Sequence, residues 1–231
     1  MKKLLLAIFL LTSVSANAAT FSSNLMLSTN YIYRGLTFSN NAPVVQGTLD
    51  FSHEGFATSW FAGPTYTLNL DSFEFEKDAE FDTFVSYSRD FNGLTLTGGF
   101  DVYVFFKNPT NDMLEWAGHA AYGDFKLNET YIDNFVRLGT NLSYTQLQFT
   151  PKITDGVMMT SHLGYSHFSN ENAVACSSYL DYKLGVAYTK ETWYVELYYT
   201  NTFMRKDLAA NKIVENDGAL TLTVIKTFGW L

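Results

Sequence analysis

Two sets of residues in this 231-residue chain have types and spacings that could do chemistry. The first is His167-Phe168-Ser169-Asn170, which sets an imidazole two residues from a hydroxyl. A histidine base beside a serine nucleophile, with a third group orienting the ring, is the apparatus of acyl transfer. Glu171 or Glu129 is the candidate for that third role. The plainer reading is that Ser-Asn closes a strand as ordinary turn chemistry, and a four-residue motif needs supporting context. The second set is dispersed: Arg34, Asp50, Glu80, Asp82, Asp101, Glu115, His119, Asp181, Lys183 and Glu196. These charges stand singly, each on the polar parity of a segment whose other parity is apolar. Such a pattern suits the wall of a wet or hydrogen-bonded interior, and acid outnumbers base in it.

The elements that must carry these residues follow from period-two alternation. In SYLDYKLGVAYT, Leu180, Tyr182, Leu184, Val186 and Tyr188 oppose Asp181 and Lys183. LTLTGGFDVYVFF sets Leu94, Leu96, Phe100, Val102 and Val104 against Thr95, Thr97, Asp101 and Tyr103. MLEWAGHAAY sets Leu114, Trp116, Ala120 and Tyr122 against Glu115 and His119. The first segment, FSSNLMLSTNYIYR, reads as one strand with Tyr31 and Tyr33 on its apolar side and Arg34 on its polar side. Extended over the chain, with FKLNETY and LSYTQLQF taken as two strands, the pattern predicts twelve. Connections alternate in length. HEG at 53–55, DFNG at 90–93, YGD at 122–124, TDG at 154–156 and TKE at 189–191 are tight, whereas TYTLNLDSFEFEK, YIDNFVRLGTN, SNENAVACS and NTFMRKDLAANKIVEND are long.

Alternation fits a soluble β-sandwich or a membrane barrel. Aromatics form 17% of the chain, with 20 Phe and 15 Tyr, and they recur along nearly every strand rather than in one core. Length parity of the loops is the arrangement of an outer-membrane barrel, and no segment after the N-terminal one approaches the length of a spanning helix. At that N-terminus MKK precedes a short apolar run and SANAA, with Ala16-Asn17-Ala18 as an A-x-A site. The layout predicts a secretory signal peptide over 1–18 and a barrel over 19–231.

A formal charge of −8 argues against nucleic acid as a partner. Cys176, the single cysteine, excludes an internal disulfide, and with four scattered histidines no zinc-ligand spacing is present. No metal or other cofactor is expected. Trp60, Trp116, Trp193 and Trp230 are candidates for interfacial girdles.

SSNLMLSTNYIYRGLTFSNNAPVVQGTLDFSHEGFATSWFAG resembles the N-terminal signature of the TorF-type porins. The matching positions are Ser28, Tyr31 or Tyr33, Arg34-Gly35, Pro43, Gln46-Gly47, Asp50 and Gly55-Phe56. YLDYKLGVAYTKETWYVELYYTNT is similar to that family's paired C-terminal strands, and the likeness is weakest from about 105 to 150. An alternating last strand ending on Phe228 and Trp230 also resembles the segment by which the barrel-assembly machinery recognises its clients, although Leu231 follows the aromatic residue. The resemblance implies an outer-membrane β-barrel channel with no catalytic residues. His167-x-Ser169-Asn170 in turn resembles a segment of outer-membrane lipid hydrolases, the lipid A deacylases and phospholipases.

The expectation is therefore an all-β, twelve-stranded antiparallel barrel of the bacterial outer membrane, non-enzymatic, surrounded by lipid and lipopolysaccharide. It would pass small hydrophilic solutes or ions, with a weak preference for cations or neutral solutes. The alternatives are the lipid hydrolase built on His167 and Ser169, and a structural or adhesion barrel acting through its long loops. On this reading Tyr31 and Tyr33 face the bilayer, while Arg34 faces the lumen.

Overall fold

β-Branched and aromatic residues spaced two apart favour extended backbone, because each pleat sends successive side chains to opposite faces. The computed structural model describes residues 19–69, 74–171, 178–203 and 218–229. In chain order its strands are β1 Thr20–Ser28, β2 Ile32–Tyr33, β3 Leu36–Thr37, β4 Val44–His53, β5 Phe56–Asn69, β6 Glu74–Phe91, β7 Leu94–Phe105 and β8 Met113–Tyr122. They continue with β9 Phe125–Ile132, β10 Leu142–Phe149, β11 Lys152–Thr154, β12 Val157–Phe168, β13 Tyr179–Lys190, β14 Trp193–Phe203 and β15 Ala219–Gly229. The helices among the described residues are two single 3-10 turns, Pro109–Asn111 and Phe135–Arg137.

Every pairing in the large sheet is antiparallel. The order β10-β9-β8-β7-β6-β5-β4-β1-β15-β14-β13-β12 returns on itself through β10–β12, where Leu142 opposes Phe168. β1 meets β15 with Leu25 opposite Lys226. The result is a closed barrel of twelve strands, with β11 a short annex on β12 and β2–β3 a separate hairpin. Closure leaves no free edge, so each backbone donor and acceptor along the wall finds a neighbour.

The predicted tight turns are where the hairpins close, and the backbone shows why. Glu54-Gly55 and Asn92-Gly93 both take positive φ, 48° and 85° then 57° and 89°. That mirror-image turn follows the right-handed twist of paired strands. One predicted long loop is mostly strand instead. β5 and β6 stay paired from Thr65↔Asp78 to Asn69↔Glu74, because the alternation of TYTLN and EFEK carries the ladder on beyond the barrel's neighbours.

Polarity is inside out. Leu25, Leu49, Leu114, Leu163, Leu184 and Leu222 face outward with 41 to 55% of their surface exposed. The buried set is rich in Glu, Asp, Gln, Ser and Thr. Trp116 and Trp193 are exposed on the outer wall. Trp230, Cys176 and the segment 1–18 lie outside the described residues.

The first strand departs from the sequence reading. β1 ends at Ser28, and residues 30 to 41 turn back into the barrel around β2 and β3. Tyr31 and Tyr33 therefore face other lumen residues and not the bilayer. Tyr31 packs on Phe38 and Phe61, and Tyr33 on Phe38 and Tyr103. Their alternation with Ile32 and Arg34 is equally compatible with a hairpin arm; the turn at Arg34-Gly35 makes it one.

Candidate functional site

The site is the barrel lumen together with the hairpin that crosses it. At the base of the hairpin Asn30 closes the loop. Its Oδ1 accepts from Thr37 Oγ1 at 2.6 Å and Ser39 Oγ at 2.8 Å, and its Nδ2 donates to Asn41 Oδ1 at 2.7 Å. At the tip, Arg34 and Gly35 take φ of 52° and 77°. Positive φ on a side chain as bulky as arginine is uncommon and costs energy, so the surroundings must hold it.

They do so from three walls. Arg34 Nη2 forms an ion pair with Glu115 on β8 and donates to Thr130 Oγ1 on β9 at 2.8 Å. The guanidinium lies 4.6 Å from the Tyr33 ring centroid and 5.0 Å from that of Tyr144 on β10. The side chains of Arg34 and Glu115 are only 5% and 7% exposed, which makes their attraction far stronger than that of a surface pair. Tyr33 donates its hydroxyl to Glu115 at 3.0 Å. Gly35 rests against Asp181 on β13 and Thr202 on β14, and a Cβ there would collide with both. The hairpin thus spans from β1 to the opposite wall.

Beside the tip, towards the long-loop end, lies an apolar cluster. Ile132, Leu142, Phe168 and Tyr179 are buried together, and Leu36 of the hairpin packs on them with Met113, Phe135 and Leu138. Towards the short-turn end the lumen opens into a cavity of about 310 Å³ lined by Ser22, Asp50, Ser52, Ser59 and Phe84 among others. Asp50 there accepts hydrogen bonds from Asn24, Thr48 and Ser59.

The remaining charges named from the sequence fall in four places on the wall. Asp181 is fully buried, meeting His162 Nε2 at 2.7 Å and the Tyr144 hydroxyl at 3.2 Å. Lys183 on β13 pairs with Glu196 on β14 at 2.8 Å and lies 4.7 Å from the Tyr198 ring centroid. Glu80 and Asp82 on β6 and Asp101 on β7 form the third group. Each keeps one carboxylate oxygen buried without a protein partner, and none is ion-paired among the described residues. His119 stands nearer the short turns, paired in register with Thr97 and Asn128.

Sequence reasoning turned Tyr33 towards the bilayer, placed Tyr103 only on a polar parity, and did not name Tyr144, Thr130 or His162. His162 shares strand parity with Gly164 and Ser166, a signal that could have found it. Tyr33 was hidden by the assumption of one continuous first strand.

Beyond the apolar band, Asp78 on β6 organises the β7–β8 loop. Partial burial works against its charge, but the backbone N–H groups of Lys107, Ala79 and Asn108, with the Thr67 hydroxyl, hold its carboxyl below the usual aspartate range.

The hydrolase constellation does not assemble. His167 faces outward, with Nδ1 3.3 Å from Ser178 Oγ. Ser169 Oγ instead accepts the Asn141 N–H at 2.9 Å and meets Thr140, serving the loop that precedes β10. Glu129 bonds Thr145 on the outer wall, and Glu171 accepts the Ser178 N–H. Turn chemistry accounts for the motif, because its hydroxyl is committed to backbone at the strand end.

Residues 13–228 match a family model described as a bacterial protein of unknown function, Gcw_chp. No curated protein matches. Among solved structures the chain is similar to the KdgM porin, at 10% identity and a TM-score of 0.53, covering 90% of this chain and 99% of that one. The KdgM porin in complex with disordered oligogalacturonate gives 10% identity and a TM-score of 0.51, over 93% and 100%. A structure described under "Unveiling the Mechanism Behind the in-meso Crystallization of Membrane Proteins" gives 10% identity and 0.57, over 91% and 84%. At such identities the likeness is one of fold.

Proposed function

The chain belongs to the Gcw_chp family of bacterial proteins, and from that premise we propose that it is a porin-like passive channel of the bacterial outer membrane for small hydrophilic solutes or ions. The observation that carries the reading is the inside-out polarity of a closed barrel. Leucines and aromatics cover its outer wall, and carboxylates, amides and hydroxyls line its interior. An outer wall of that kind is stable only in hydrocarbon, and a polar interior lowers the cost of carrying hydrated solutes through it. Lipid and lipopolysaccharide would surround the wall, and the barrel-assembly machinery would insert it.

The conformation described is the narrow one. The cavity behind Asp50 admits solute from the short-turn side, and the hairpin with its apolar roof restricts the other end. Passage requires the hairpin to move aside, which means parting Arg34 from Glu115. The inventory of the wall sets the preference. Glu80, Asp82 and Asp101 lack cationic partners among the described residues, so the lumen favours cations and neutral solutes. A polyanion such as the oligogalacturonate of the similar porin complex is disfavoured here.

Liposome swelling with solutes of graded size and charge tests the reading. Faster entry of small neutral and cationic solutes than of anions of equal size is the expected result. Swelling no faster than in protein-free liposomes, from correctly folded protein, would overturn it.

A further inference from the structure

The outer wall carries one region unlike the rest. Gly98 on β7 and Gly118 on β8 are directly paired, and both point outward. A Cβ at Gly98 would meet nothing within 4 Å, and one at Gly118 would meet only the Thr97 carbonyl at 3.7 Å. The missing side chain of Gly118 leaves an apolar hollow of about 450 Å³, overhung by Phe100, Trp116 and Tyr131, and Gly98 keeps the wall bare beside it. In the same row, opposite Gly118, Glu129 projects from β9 and is exposed.

A carboxylate on a wall of leucine and aromatic rings is destabilised by hydrocarbon. Thr145 supplies one hydrogen bond to it, and acyl chains can supply none to the remaining lone pairs. The opposite flank of the hollow holds the complement. Tyr87 is opposite Gly98 on β6, with Arg89 two residues along on the same face, and both are exposed. One face thus has donors on its β6 side, an acceptor on its β9 side, and a recess free of side chains between them. A two-fold axis along the barrel direction sets the left flank of one copy against the right flank of the other, which is the self-complementarity an isologous contact requires. Small residues at the centre let two walls approach closely enough for packing to contribute.

We propose that this face, centred on Gly98 and Gly118, is where a second copy of the chain docks, with Arg89 and Tyr87 of each barrel meeting Glu129 of the other. The inference rests on the outer wall lying in a membrane and is independent of whether the lumen conducts.

The test is a charge exchange in the full-length protein with Cys176→Ser, folded in detergent micelles and in nanodiscs. Mass is read by light scattering, and folding by heat-modifiable migration on gels. Wild type should be dimeric. Glu129→Arg and Arg89→Glu should each weaken the dimer at least about tenfold, since like charges then oppose each other. The double exchange should restore it. Gly118→Cys should cross-link between copies under mild oxidation, whereas a cysteine at Leu222 on the far wall should not. A monomeric wild type, a monomer retaining lipid in the hollow, or a folded double exchange no tighter than either single variant would each overturn the proposal. Conductance measured on the same samples reports on the channel reading separately.

Discussion

Arg34→Ala is the perturbation that bears most directly on how this barrel would open. The substitution removes the ion pair to Glu115, the hydrogen bond to Thr130 and the stacking on Tyr33 and Tyr144. It leaves the Glu115 carboxylate almost wholly buried, with Tyr33 as its remaining donor among the described residues. Removing one partner of a buried pair costs about 3–5 kcal/mol, mainly because the other charge is stranded. Here the strain of a positive φ on Arg34 is released only in part, since alanine disfavours the same backbone. Taking about 3 kcal/mol as the loss, the ratio of displaced to docked hairpin rises about a hundredfold or more, at tenfold per ~1.4 kcal/mol. Barrel strands are untouched, so global unfolding should change far less. Single-channel recording in planar bilayers is the assay. Wild type should show brief, infrequent openings, and Arg34→Ala a much larger open fraction with passage of bulkier solutes in liposome swelling. Glu115→Gln keeps the shape and should shift the same balance less. Folded Arg34→Ala protein with the wild-type open fraction and solute cut-off would refute the latch.

Three further outcomes follow from the same geometry. Gly35→Val combines an unfavourable φ of 77° with a collision against Asp181 and Thr202, so it should expel the hairpin and raise conductance with little change in heat-modifiable migration; a conductance equal to wild type would contradict the tight approach. Replacing Glu80, Asp82 and Asp101 with their amides should shift the reversal potential in a salt gradient towards that of a non-selective pore, and an unchanged potential would remove these residues from the ion path. Asp78 has a depressed carboxyl, so its contribution is present above the unfolded-state value and is lost as pH falls through the folded one. Protection factors for amide exchange at Lys107 and Asn108 should therefore be high at neutral pH and fall in acid, whereas Asp78→Asn should lower them at every pH.

Much of the architecture was legible before any coordinates. Strand existence and strand count follow from parity, since a side chain two residues on always returns to the same face. His53-Glu54-Gly55-Phe56 and Phe91-Asn92-Gly93-Leu94 announce their turns because few residues tolerate positive φ. The length of β5 and β6 was underestimated, although TYTLN and EFEK alternate, because segment composition alone does not show where pairing stops.

What local pattern determined, then, is a β-barrel with its lumen charges on one parity and its leucines on the other. That is a property of the pleat, readable over a few residues. Tertiary structure alone decided where the first strand stops being wall and becomes plug. Tyr31, Tyr33 and Arg34 alternate whether they line a strand or a hairpin arm, so the pattern cannot distinguish the two. The choice is made by partners far along the chain: Glu115 and Thr130 for the guanidinium, Tyr144 for its stacking, Asp181 for the close approach of Gly35. Those residues become neighbours only once β1 has closed on β15 and β10 on β12. Contacts created by closure have no counterpart in a periodicity of two.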